Sequence, residues 1–189
     1  MTQAIRSFFA VSIPDLVRSK LAEVIGILGQ RPNGDRIRWV SPDNLHVTLR
    51  FLGEVTPKAL ADLVAAVTDE VQAVPVFDCR LTEVRVFPNP RRAKVIAVGV
   101  EADGHLTELA AAVERGVVRE GFAPEDRGFR SHLTLGRLRG HGYPSSQDDF
   151  GLVDCPVRVD RVVLYRSELR PEGPEYREIE TIILEGNGS

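Results

Sequence analysis

The sequence predicts an α+β fold in which mostly antiparallel sheets line a cleft and helices pack outside them. Three observations carry this reading. Short runs of β-branched and aromatic residues recur along the whole chain. Three amphipathic stripes at helical spacing lie between those runs rather than after them. Finally, a strand-like His-x-Thr-aliphatic segment occurs once in each half, as His46-Val47-Thr48-Leu49 and as His132-Leu133-Thr134-Leu135.

The elements follow in order. Ile5 to Ser12 reads as a strand. Pro14 suits the first turn of a helix. Val17, Leu21, Val24 and Leu28 then form one apolar stripe, ended by Gly29 and residues 31–34. A short strand, Ile37 to Val40, leads through the turn residues 41–44 into the first motif strand, which Gly53 is expected to stop. Thr56-Pro57 is an N-cap followed by a first-turn proline, and Leu60, Leu63, Val64, Val67 and Val71 line the second helix. Phe77 to Phe87 alternates as a long strand with an irregularity near Glu83. Residues 88–90 break it before an apolar strand from Lys94 to Val100. Asp103 is placed to cap a third helix with the stripe Leu106, Leu109, Ala110, Val113 and Val117. The second motif strand is expected from Phe129 to Leu138, followed by a polar loop over 140–149. Val157 to Tyr165 and Tyr176 to Leu184 read as paired strands joined by residues 169–174, with a disordered tail after them.

On a strand, residues i and i+2 share a face. Val47 and Leu49 would anchor one strand in a core while His46 and Thr48 face outward together; Leu133 and Leu135 would do the same for His132 and Thr134. With 4 His and 8 Thr in 189 residues, chance predicts about 0.2 His-x-Thr triplets, and three occur. The third, His105-Leu106-Thr107, opens a helical pattern, where i and i+2 do not face each other. Two imidazoles and two hydroxyls on neighbouring strands offer two proton carriers and two neutral donors. That set suits a reaction that adds one proton and removes another at an anionic centre.

Two such motifs, 86 residues apart, resemble the signature of the 2H phosphoesterases. Flanking segments narrow the resemblance to the RNA 2′,3′-cyclic phosphodiesterase branch, also called 2′-5′ RNA ligases. These are Arg6-Ser7-Phe8-Phe9-Ala10, Trp39-Val40-Ser41-Pro42-Asp43-Asn44-Leu45, Phe87-Pro88-Asn89-Pro90-Arg91-Arg92, Phe129-Arg130, and the run from Ser167 through Gly173-Pro174 to Tyr176. Ser131 stands where that family usually has Pro, and Ala97 where it often has an aromatic residue. The resemblance implies a two-lobed, pseudo-twofold sandwich within a single domain over residues 1–189. It implies hydrolysis of RNA 2′,3′-cyclic phosphate ends to 2′-phosphomonoesters, with His46 as proton donor and His132 as proton acceptor. Thr48 and Thr134 would donate hydrogen bonds to the phosphoryl oxygens and Arg130 a charge-assisted one. Phe8, Tyr176, Arg91 and Arg92 are weaker candidates for contacts with the RNA end. From the residues alone, either histidine can be the acid.

Composition bounds the alternatives. A net charge of −3 gives no global basic field for long nucleic acid, so RNA contact is expected to be local or terminal. Cys79 and Cys155 lack CxxC spacing and read as buried reduced thiols. The four His show no metal-ligand spacing, so neither metal nor cofactor is expected. The apolar run Phe8 to Val11 is too short for a signal peptide, no segment approaches a membrane span, and the cytoplasm and a monomeric state are the expectation. Competing readings keep the cleft and change the reaction, to nucleotide-independent 2′-5′ ligation or hydrolysis of a small cyclic phosphate, or make the chain a catalytically silent RNA-binding module.

Overall fold

Pairing of the β-branched runs builds two sheets, one around each motif strand. The computed structural model describes residues 4–89, 92–140, 150–171 and 173–185. Its strands are β1 (Ile5–Ser12), β2 (Ile37–Trp39), β3 (His46–Val55), β4 (Phe77–Phe87), β5 (Val95–Glu101), β6 (His132–Leu138), β7 (Leu152–Val159), β8 (Arg161–Arg170) and β9 (Gly173–Ile183). Its helices are α1 (Asp15–Gly29), α2 (Pro57–Val71) and α3 (His105–Arg119). One sheet has the order β3-β1-β8-β9 and the other β2-β6-β5-β4-β7, with every pairing antiparallel. The α+β class and the antiparallel sheets read from the sequence are those observed.

The helices bury the stripes that periodicity picked out. Leu21 and Leu28 of α1, Leu63 and Val67 of α2, and Leu109, Val113 and Val117 of α3 are almost wholly shielded from water. Each such aliphatic contributes roughly 1.5–3 kcal/mol of transfer free energy. Helices α2 and α3 pack closely enough that a Cβ on Gly116 would lie 2.7 Å from the Val67 Cα, which only glycine avoids. Val47, Leu49, Leu133 and Leu135 of the motif strands point into this same core.

Several expectations are corrected. Gly53 does not end β3. It adopts a φ of 73°, the register against β1 shifts beside it, and pairing resumes as far as Val55. Asp103 does not cap α3: Gly104, at φ 89°, is the N-cap, and no side chain bonds there. The run Val157 to Tyr165 is two strands in different sheets. It divides at Asp160, whose carbonyl accepts the Leu184 N–H at 2.8 Å, so β7 pairs with β4 while β8 pairs with β1 and β9. Residues 169–174, expected as a connection, are largely paired strand, with Leu169 opposite Pro174 and Arg170 opposite Gly173. Strand β6 begins at His132 rather than Phe129. The loop over 140–149 and the tail from 186 fall almost entirely outside the described residues. Cys79 is buried, its thiol pushed up to about 11 by that burial and by Asp78, whereas Cys155 is only half-buried. Among the described residues no helix is long and apolar enough to cross a membrane.

Candidate active site

Strands β3 and β6 face each other across the two sheets, and the cleft between them holds both motifs. A cavity of about 400 Å³ is lined by His46, Thr48, His132 and Thr134, together with Trp39, Asn44, Tyr176 and two arginines, Arg38 and Arg137. Alternation explains the four motif residues: each His and Thr faces the cavity because the aliphatic between them is held in the core.

Both imidazoles are oriented in the same way. The His46 Nδ1–H donates to the Asn44 carbonyl at 2.6 Å, and the His132 Nδ1–H to the Arg130 carbonyl at 2.8 Å. A carbonyl only accepts, so Nδ1 carries the proton in each ring and Nε2 is left for chemistry. At His46 the Thr48 hydroxyl lies 2.9 Å from Nε2. Each ring also rests on a phenylalanine: His46 lies 4.8 Å from Phe8 between centroids, and His132 stacks on Phe87 at 4.4 Å and 11°. Tyr176 stands edge-on to His46 at 5.2 Å.

The pKa of His46 is lowered from 6.5 to about 4, mainly by desolvation, which disfavours the charged form. The bond to the Asn44 carbonyl opposes that shift, while the Arg137 guanidinium, and the other imidazole whenever it is protonated, add to it. In the free protein at neutral pH, His46 is therefore a neutral ring with an unprotonated Nε2.

The other predicted residues are distributed as follows. Tyr176 lines the cavity. Phe8 is buried behind His46 and supports the ring from below. Arg130 contributes its carbonyl to His132, but its exposed side chain is not part of the cavity wall. Arg92 is exposed, its backbone N–H donates to the Asn89 side chain, and it is not part of the cavity wall. Arg91 lies outside the described residues, as does His141. Ser131, where proline is usual, donates its hydroxyl to the Val100 carbonyl at 2.8 Å and so ties the start of β6 to β5. Ala97, where an aromatic is common, is buried opposite Thr134. His105 lies at the start of α3, stacked on Phe77 at 5.3 Å, and is not part of the cavity wall.

Sequence reasoning missed Arg38, Asn44, Phe87 and Arg137. Strict alternation would send Arg137 to the core with Leu133 and Leu135. The register shows otherwise: Ala97 pairs with Thr134, yet Ile96 pairs with Gly136, so Leu135 is an extra residue in β6. This bulge turns Arg137 back onto the His132 face. The same irregularity occurs in β3, where Ala10 pairs with Thr48 and Phe9 with Arg50, leaving Leu49 extra.

A two-sheet sandwich presenting one His-x-Thr pair from each wall has the architecture of the 2H phosphoesterases. The family model "LigT like Phosphoesterase" matches twice, over residues 11–97 and 98–176, one match for each motif. The chain belongs to the LigT-like phosphoesterase family. It is 32% identical over 188 residues to an RNA 2′,3′-cyclic phosphodiesterase of Methanothermobacter thermautotrophicus, covering 95% of this chain and 99% of the relative. To the RNA 2′,3′-cyclic phosphodiesterase of Archaeoglobus fulgidus it is 35% identical over 185 residues, covering 92% and 97%. Among solved structures, TT0787 of Thermus thermophilus superposes with a TM-score of 0.80 at 32% identity, covering 96% of this chain and 99% of the other. E. coli LigT complexed with 3′-AMP gives 0.79 at 26% identity, covering 96% and 98%.

Proposed function

We propose that this protein hydrolyses 2′,3′-cyclic phosphate ends of RNA to 2′-phosphomonoesters, by metal-independent acid–base catalysis between His46 and His132. One observation carries the reading: two imidazoles of the same tautomer offer Nε2 from opposite walls of one cavity that two threonines also line. Displacement at phosphorus places the attacking and leaving oxygens roughly in line on opposite sides. Acid and base from opposing sheets meet that requirement.

In the proposed step, neutral His132 takes a proton from water through Nε2 as the water oxygen bonds to phosphorus. The bond from phosphorus to the ribose 3′ oxygen breaks, and the His46 imidazolium delivers its Nε2 proton to that oxygen. The phosphate stays on the 2′ oxygen. Thr48 and Thr134 donate to the non-bridging oxygens, where charge accumulates. Because Thr48 bonds to His46 in the free protein, the substrate must take over that hydroxyl. No carboxylate or thiolate contributes to the described cavity wall. RNA 2′,3′-cyclic phosphodiesterases are the relatives this chain matches along nearly its whole length, which supports the choice of substrate.

The test is turnover of a short RNA ending in 2′,3′-cyclic phosphate, with the product identified by phosphorus NMR. A 2′-phosphate is expected, and His46→Ala and His132→Ala should each cost at least about 100-fold while remaining folded. No turnover, or a 3′-phosphate product, would overturn the proposal.

A further inference from the structure

The two motif strands belong to different sheets, so no ladder fixes the span between His46 and His132. His46 is held from its own side, because the Asn44 amide just before it donates to the Pro174 carbonyl at 2.6 Å. His132 takes its orientation from the Arg130 carbonyl. That carbonyl lies between α3 and β6, where residues 120–131 form neither helix nor strand. A backbone without a ladder depends on side chains and water for its hydrogen bonds. One such tie is the Ser131 hydroxyl, bonded to the Val100 carbonyl at 2.8 Å.

The other tie is Arg50, which stands on β3 two residues after Thr48 and is not part of the cavity wall. Its guanidinium reaches three parts of the fold at once. Nη2 donates to the Ala123 carbonyl at 2.5 Å, and Nη1 donates to the Phe51 carbonyl at 3.0 Å and to the Glu125 carboxylate at 3.1 Å. Nε lies 2.6 Å from the carboxylate of Glu114 on α3. That carboxylate also accepts the Glu125 backbone N–H at 2.7 Å. The Arg50 side chain is only 11% exposed. Exposed ion pairs contribute little, whereas a charge this far out of water needs its partners held in place.

We infer that Arg50 is a positioning residue: it clamps the first motif strand to the segment that leads into the second, and so sets where His132 stands relative to a phosphate held on the His46 wall. The inference rests on the acid–base reading above and adds to it a residue outside the cavity. Acid and base must both reach one phosphorus, and a misplacement of about 1 Å can cost roughly 100-fold in rate. The guanidinium suits the clamp because its planar fork offers donors in several fixed directions, which a lysine ammonium does not.

The experiment is a double-mutant cycle read by turnover of a short RNA ending in 2′,3′-cyclic phosphate. Arg50→Met alone would leave Glu114 as an uncompensated charge, so the clamp is removed by Arg50→Met together with Glu114→Gln. In this variant kcat should fall by roughly ten- to 100-fold while KM stays within about threefold, since Thr48 and His46 remain in place to hold the phosphate. Made in a His132→Ala background, the same two changes should lower kcat by less than about twofold further, because groups that act as a unit are not additive. A role in stability alone would not produce that coupling. Glu125→Gln, at the more exposed end of the clamp, decides the matter if the double variant fails to fold: kcat should fall at least about threefold with His132 present and be unchanged without it. Wild-type kcat in the folded double variant, or in Glu125→Gln where the double variant does not fold, overturns the inference. So does a loss that multiplies with that of His132→Ala. Absence of turnover by the wild type removes the acid–base reading itself, and the clamp with it.

Discussion

His46 should change its protonation state when an anion binds. In the free protein its pKa of about 4 leaves roughly one ring in a thousand protonated at pH 7, a deficit of about 4 kcal/mol for a group that must act as an acid. The main cause is desolvation, so removing Arg137 would restore only part of the shift. A monoanionic phosphate reverses the balance. At about 4 Å and an effective dielectric constant near 20, one negative charge stabilises the imidazolium by about 4 kcal/mol, or about three pKa units. The bound form should therefore titrate near 7, where an acid works best at neutral pH. Histidine-labelled protein followed by NMR across pH, with and without saturating inorganic phosphate, reads both values. His46 titrating near 6.5 in the free protein would refute the desolvation argument. A value that stays near 4 with phosphate bound would refute the recharging step.

Three further outcomes follow. Because the folded pKa of His46 lies below its unfolded value, its contribution to stability is whole above pH 6.5 and is lost as pH falls through about 4. Denaturant unfolding between pH 7 and 4 should show a loss of up to roughly 3 kcal/mol that His46→Gln abolishes; an unchanged pH slope would contradict it. Turnover should survive EDTA within a few-fold, and loss restored by one particular divalent ion would reveal a missed ligand set. His105→Ala should keep turnover within a few-fold of wild type, because its ring packs on Phe77 and is not part of the cavity wall; a folded variant with collapsed turnover would place it in the chemistry.

The parts of the fold set by local pattern were legible. Helices α1, α2 and α3 follow from their stripes, and His46, Thr48, His132 and Thr134 follow from a period of two. The unread parts depend on which strand lies beside which. Arg137 reaches the cleft only because β6 slips by one residue against β5, and one chain segment does not record its partner's register. Arg38 reaches the cavity from β2, opposite Arg137 across the β2–β6 pairing. Asp160 divides two strands that look continuous, because the next residues are claimed by another sheet. Arg130 was chosen for its charge, whereas the structure uses its carbonyl to fix the tautomer of His132. Phe87 was noted only as part of the family segment, and it becomes the platform under His132 once β4 and β5 pair.

The division of labour between the histidines is tested most directly by removing the need for an acid. In a 3′-deoxynucleoside 2′-(4-nitrophenyl phosphate), nitrophenolate leaves in place of the ribose 3′ oxygen and requires no proton. On this substrate His46→Ala should recover to within about tenfold of wild type while remaining at least about 100-fold impaired on the cyclic phosphate. His132→Ala, which lacks the base, should stay impaired on both. Rescue of His132→Ala instead would reverse the two roles, and rescue of neither would contradict acid–base catalysis by this pair.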